Sequence, residues 1–229
     1  NLNYTGMLGN NLSTLGIQAS KETRDFAKSL SLIWMPTTGE FGPRGGISDF
    51  EHHKKAATRF GTSIVSSRED RFNNIGQASP DNVQVRMTDG LLFFETGALA
   101  DGVTVDRATY EMIAIDAGVK YKGFSAQLEV YGRRLYDFDA DGPVPISSIK
   151  DYGYSLQISQ MVIPKKLAIY AINSYFWDQF KRHPHEYGGG FNFYPTNSRS
   201  WRLNAQLMRV YKSAAGGTFG LYTAGQTGS

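Results

Sequence analysis

The sharpest local pattern in the chain is Asp137-Phe138-Asp139-Ala140-Asp141-Gly142. Alternating carboxylates closed by a glycine can turn several hard oxygens onto a Ca²⁺ ion, as in the first half of an EF-hand loop. The twelfth position is Ser148 instead of a bidentate Glu, and a strand rather than a helix precedes the run. The expectation is therefore a solvated acidic external loop with weak divalent-ion affinity at most, Asp137, Asp139 and Asp141 being the candidate ligands. The four histidines fall in two pairs, His52-His53 and His183-Pro184-His185. A His-x-His pair on a strand shows both rings on one face and can serve a metal. With no cysteine and only Glu186 adjacent, surface pairs are expected, and Lys54-Lys55 reads as a solvated basic segment. Nucleophilic catalysis needs a Ser with a base and an orienting group. Serines are plentiful but no Gly-x-Ser-x-Gly element or triad stands out, so no enzyme and no cofactor is expected.

The remaining ionisable residues gain meaning from the elements that carry them. Between Ala108 and Phe138, Ile113, Ile115, Ala117, Val119 and Tyr121 alternate with Met112, Ala114, Asp116, Gly118 and Lys120. After a break at Lys122-Gly123, Phe124, Ala126, Leu128 and Val130 alternate with Ser125, Gln127, Glu129, Tyr131 and Arg133. A half-buried soluble strand shows such alternation for about four to eight residues. Two longer stretches around a minimal turn, apolar on one face and charged on the other, have the pattern of a transmembrane β-hairpin.

Further strands follow the same rhythm. They are Leu2–Gly9, Thr14–Ala19, Ala27–Pro36, Ala57–Ser66, Tyr152–Met161, Leu167–Trp177, Glu186–Tyr194, Trp201–Met208 and Thr218–Ala224, about ten well-formed strands with the hairpin. In Leu167–Trp177 apolar residues occupy both phases, so its faces are not assigned. Lys21–Phe26, Thr37–Gly46 and the long polar stretch Ser67–Asn82 read as connections, and Leu91-Leu92-Phe93-Phe94 as a possible strand. Short connections at Lys122-Gly123, Pro164–Lys166 and Pro195–Ser200 alternate with longer ones at Asp137–Ile149, Asp178–His185 and Lys212–Gly217. Outer-membrane barrels alternate short periplasmic turns with long external loops. Aromatics gather near strand ends (Trp34, Tyr121, Phe124, Tyr152, Trp177, Trp201), as an interfacial girdle would require.

Composition bounds the answer further. No run approaches the ~18 apolar residues of a membrane helix. A mean hydropathy of -0.36 is compatible with a barrel, whose lumen-facing residues dilute the signal. The absence of cysteine excludes a disulfide scaffold and a Cys-ligated metal. A net charge of +3 is too mild to imply a nucleic-acid partner. The opening Asn1-Leu2-Asn3-Tyr4 shows neither an initiator Met nor an apolar leader, so the chain reads as a processed protein or as part of a longer one.

Several segments resemble Gram-negative outer-membrane porins of the phosphate-selective porin O and P family. "EYGGGFNFYP", "SWRLNAQLMRVYKS" and "FGLYTAGQTG" resemble its closing strands, and "DAGVKYKGFSAQLEVYGRRL" one of its hairpins. "LNYTGMLGNNLSTLG" and "ISDFEHH" are similar to its upstream segments. The resemblance implies an antiparallel transmembrane β-barrel of about 16 strands, usually a homotrimer, in the bacterial outer membrane with lipid and lipopolysaccharide around it. Residues 1–229 would then be a single barrel domain lacking N-terminal strands and the final C-terminal strand. The family's anion-binding arginine ladder has no residue-by-residue match here.

The expected fold class is thus all-β, and the expected function is passive diffusion of small hydrophilic solutes, with a weak anion preference. Arg133, Glu129, Gln127, Lys120, Arg59 and Arg202 fall on the inward phase and are the expected pore lining. Ser67–Asn82 or Asp137–Ile149 would narrow the entrance. Two alternatives remain: a soluble or surface β-sandwich binding glycan or protein, and a plugged barrel anchoring a larger assembly. Where Ile113, Ile115, Leu128 and Val130 point discriminates between a lipid-wide belt and a second sheet.

Overall fold

The computed structural model describes residues 1–10, 26–42, 48–71 and 85–212. Nine strands, in chain order, form one sheet: β1 (Leu2–Asn10), β2 (Phe26–Trp34), β3 (Ala57–Asp70), β4 (Val105–Tyr121), β5 (Phe124–Ala140), β6 (Ser148–Ile163), β7 (Leu167–Asp178), β8 (His185–Phe193) and β9 (Leu203–Tyr211). Each pairs antiparallel with the next, and β1 and β9 are not paired to each other. The protein is therefore all-β, a single antiparallel meander with no helix among the described residues. The expected strands Thr14–Ala19 and Thr218–Ala224 and the loop Lys212–Gly217 lie wholly or largely outside the described residues.

The turns are set by local chemistry. Lys122 (φ 48) and Gly123 (φ 88) are both left-handed, the type I′ geometry whose twist matches that of paired strands. At Ile163–Lys166, Pro164 presets the first turn dihedral, Lys165 takes φ 57, and Lys166 N donates to Ile163 O at 3.0 Å. These two turns fix the register of β4 on β5 and of β6 on β7, and with it which residues share a face.

Residues opposite one another across the sheet lie on one face. One such row joins Leu32, Thr62, Ile115, Val130, Tyr154 and Tyr175, and the next joins Trp34, Phe60, Ala117, Leu128, Leu156 and Asn173. This face is bare. Ile113, Ile115, Leu128 and Val130 are 49%, 54%, 41% and 41% exposed, and among the described residues no second sheet packs on them. In β7 the pairing places Ile169, Tyr175 and Trp177 here and Ala168, Ser174 and Asp178 opposite, which settles the phase that its sequence leaves open.

The opposite, polar face carries two inserted segments. From the long-connection end, residues 85–104 fold over it. Met87, Phe93 and Phe94 form a core with Val105, Ala108, Leu135 and Ile149. Leu91–Phe94 is therefore no strand: only Leu92 makes an isolated bridge, to Arg86. From the short-turn end, Phe41 approaches Gly118, and Phe50 packs with Met161, Ala168 and Tyr194. Two strands run further than their sequences suggest. Ser67–Asp70 belongs to β3, and Asp137–Ala140 continues β5 through a bulge at which Asp137 takes φ 57.

The β4–β5 turn supplies a first test. A Cβ on Gly123 would sit 3.1 Å from both Gln160 Nε2 and His52 Nδ1, at a φ that L-residues resist. Gly123→Ala is expected to lower stability by about 1–2 kcal/mol, seen as a lower urea midpoint at unchanged slope. Lys122→Asn, a residue tolerant of the left-handed region, is expected to be neutral.

Candidate functional site

The polar face between the two inserted segments is the candidate site. Period-two alternation brings Arg59 from β3, Asp116 from β4, Gln127 and Glu129 from β5, and Ser155 and Gln157 from β6 onto it. They line a cavity of about 220 Å³. The structure thus brings together three of the six expected lining residues: Arg59, Gln127 and Glu129. Arg59 is ion-paired to Asp116, which sits directly opposite Glu129 in the register. Glu129 has no hydrogen-bond or ion-pair partner among the described residues.

The other three are placed differently. Arg133 lies at the edge of the 85–104 segment. Its Nε and Nη2 reach Asp151 at 2.9 and 2.7 Å, and Nη2 also donates to Arg86 O at 2.8 Å. Lys120 is 1% exposed, with its ammonium 4.8 Å from the Phe41 ring centroid, so it is roofed by Phe41. Arg202 precedes β9 in the turn after β8 and is exposed there.

Each inserted segment is tied down by carboxylates as well as by its core. Asp178 accepts from Thr88 Oγ1 and from Arg182 Nε (2.6 Å), and Arg182 also pairs with Asp89. At the other end the fully buried Asp49 accepts from Gly123 N (2.8 Å), His53 N (3.0 Å) and the His53 ring. Irregular backbone placed over a sheet needs such partners, because buried N–H and C=O groups must be satisfied. Sequence reasoning missed Asp49, Asp151 and Asp178. The signal available was a lone carboxylate on an apolar-flanked strand or loop, which does not name its partner.

The metal candidates do not converge. Asp137 pairs with Arg68 (2.6 Å) and Asp139 with Arg107 (2.8 Å), while Asp141 Oδ1 accepts from Thr104 N (2.7 Å). Among the described residues no group of three potential ligands comes together. His183 and His185 stack on Tyr175 at 6.0 and 5.6 Å between ring centroids, an aromatic ledge at the long-connection end of the bare face. Comparison with protein-family models, with curated proteins and with solved structures finds no match to this chain.

Removing one partner of a buried ion pair strands the other charge. Arg133→Ala leaves Asp151, 3% exposed, without its guanidinium, and it also removes the Nη2 donor to Arg86 O. The expected cost is about 3 kcal/mol or more, read as a lower denaturant midpoint. The double variant Arg133→Met with Asp151→Leu should recover most of that loss.

Proposed function

We propose that this sheet is part of the wall of an outer-membrane β-barrel, a porin through which small hydrophilic solutes diffuse passively. The observation that carries the reading is the bare face. From Ile113 to Tyr121, β4 presents nine residues' length of apolar side chains, and its neighbours continue the band. At about 3.4 Å per residue and a tilt of about 40°, that length spans about 21 Å along a membrane normal, near the ~25 Å apolar band of such barrels. From β2 to β7 no charged residue interrupts this band. Lys28, Glu111, Arg134 and Lys150 bound it at one end, and Lys122, Lys165 and Lys166 lie in the turns at the other. Arg209, on edge strand β9, is an exception on this face.

Asn173, a polar residue inside the band, is satisfied in the way hydrocarbon requires. Asn173 accepts from the Tyr154 hydroxyl at 2.7 Å and donates to Glu186 O at 3.0 Å. Aromatic contacts, Trp34 on Phe60 and Tyr152 on Trp177, fit amphipathic rings near an interface. A β-sandwich would need a second sheet here, and none is present among the described residues. Further strands would complete the barrel, and a trimer is what the porin resemblance implies.

The polar face would line the lumen, with residues 85–104 narrowing it from outside and residues 35–42 and 48–56 from inside. The expected weak anion preference is not part of this proposal: Arg59 and Arg133 are paired with carboxylates and Lys120 is roofed. The two covered ends favour a second reading, a barrel that is plugged and serves as an anchor.

Residues 1–229 hold no cysteine, so a single Cys introduced among them is the one reactive thiol of this part of the protein. In the full-length protein in liposomes, Glu129→Cys and Ser155→Cys are expected to react with a hydrophilic maleimide. Ile115→Cys and Leu128→Cys are expected to stay unlabelled until detergent is added. Equal labelling of all four sites would overturn the membrane reading. Planar-bilayer conductance then separates an open pore from a plugged one.

A further inference from the structure

We infer that the solutes favoured along the polar face are small organic cations bearing an ammonium or guanidinium group, and that Glu129 is the residue that selects them. The inference rests on the membrane reading above and names the solute class for that same wall.

The register puts Gly61, Asp116, Glu129, Ser155, Ser174 and Glu186 in one row across six adjacent strands of the polar face. The row holds three carboxylates and two hydroxyls, and no cation. Gly61 decides how the first carboxylate is used. With no side chain there, the Asp116 carboxylate leans over β3, where a Cβ on Gly61 would collide with both of its oxygens, and it meets Arg59 on that strand. The ion pair is thereby drawn toward β3. Glu129 is left exposed to the cavity of about 220 Å³, beside the neutral side chains of Gln127, Ser155 and Gln157. Ser155 Oγ accepts from Ser174 Oγ at 3.5 Å, which carries the hydroxyl path on toward Glu186.

The charges of this face do not balance. Arg59 is paired with Asp116, Arg133 with Asp151, and Lys120 lies under Phe41. Glu129 and Glu186 have no ion-pair partner among the described residues. They stand three strands apart, about 14 Å along the sheet. The charge left unmatched is therefore negative, and a carboxylate on a low-dielectric wall concentrates cations beside it. Asp and Glu side chains lining a pore discriminate for cations in this way. Among the described residues no three potential metal ligands converge, so Glu129 meets passing cations singly and does not hold a metal. The amide and hydroxyl oxygens around it suit the N–H donors of an ammonium or guanidinium group, and one carboxylate is weak enough to let the solute leave.

The local sign is read at the position opposite Glu129. The full-length protein carrying Ser155→Cys, in liposomes, is treated with a trimethylammonium-bearing or a sulfonate-bearing methanethiosulfonate. Each rate is taken as the excess over the unsubstituted protein and divided by that reagent's rate with free cysteine. The cationic reagent is expected to be favoured about tenfold. Adding Glu129→Gln should cut this to about twofold, and adding Glu129→Asp should restore it. Raising NaCl from about 0.1 M to about 1 M, which shortens the screening length from ~10 Å to ~3 Å, should shrink the preference without any change at Glu129. Equal or inverted rates, a preference indifferent to salt or to Glu129→Gln, or no reaction until detergent is added would overturn the inference. If Ile115→Cys reacts as fast as Ser155→Cys in the liposomes, the membrane reading itself fails and takes the inference with it.

Discussion

The structure depends on the register of β3, β4, β5 and β6, because a strand's side chains alternate faces with period two. A slip of one residue in β5 would move Gln127, Glu129 and Arg133 onto the apolar face and Leu128 and Val130 onto the polar one. Backbone hydrogen bonds alone do not forbid that slip. The I′ turn at Lys122-Gly123 does, since its length and handedness admit one pairing. Two cross-strand ion pairs on the polar face, Arg59 with Asp116 and Arg133 with Asp151, add to the constraint, because out of register each would lose its partner.

The inserted segments obey the same constraint at one remove. Each rests on apolar residues that appear on the polar face only near the strand ends: Val105, Ala108, Leu135 and Ile149 at one end, Met161 and Ala168 at the other. Each is then fastened by a buried or half-buried carboxylate, Asp178 or Asp49, which gathers several donors. Between these footings lies the cavity lined by Arg59, Asp116, Gln127, Glu129, Ser155 and Gln157, which neither segment covers.

The strands were legible because alternation is a local property of the chain. The faces of β2 to β6, β8 and β9 follow from it directly, and β7 alone needed its neighbours, since Ala168, Ala171 and Ile172 are apolar on both phases. The inserted segment at 85–104 was not legible. Leu91-Leu92-Phe93-Phe94 has no period, and its partners Leu135 and Ile149 are distant in sequence and sit on a face otherwise read as wet. Asp137–Asp141 read as a metal-loop candidate because carboxylates beside a glycine look the same in a bulged strand end as in a loop. Only the three-dimensional pairing with Arg68 and Arg107 tells them apart. The cations of the polar face were likewise visible as residues but not as pairs. Arg133 and Asp151 become neighbours only once the β5–β6 register is known.

The two faces treat several of their cations in opposite ways. On the polar face Arg59, Arg133 and Arg182 are each matched by a carboxylate within the protein, and Asp49 by backbone and imidazole donors. A charge under an inserted segment is removed from water, and an unpaired one there would cost several kcal/mol, so pairing is close to obligatory. On the bare face from β2 to β7 the charges stand only at the limits of the apolar band, and Lys28, Arg134 and Lys150 are left unmatched by carboxylates among the described residues. That is tolerable only where water or an anionic group reaches them, so under the membrane reading the row that ends the band would also mark the level at which the surroundings turn polar. An apolar surface bounded in this way is what supports the membrane reading proposed above, since a face meant for a second sheet would carry its polar limit wherever the partner strands end.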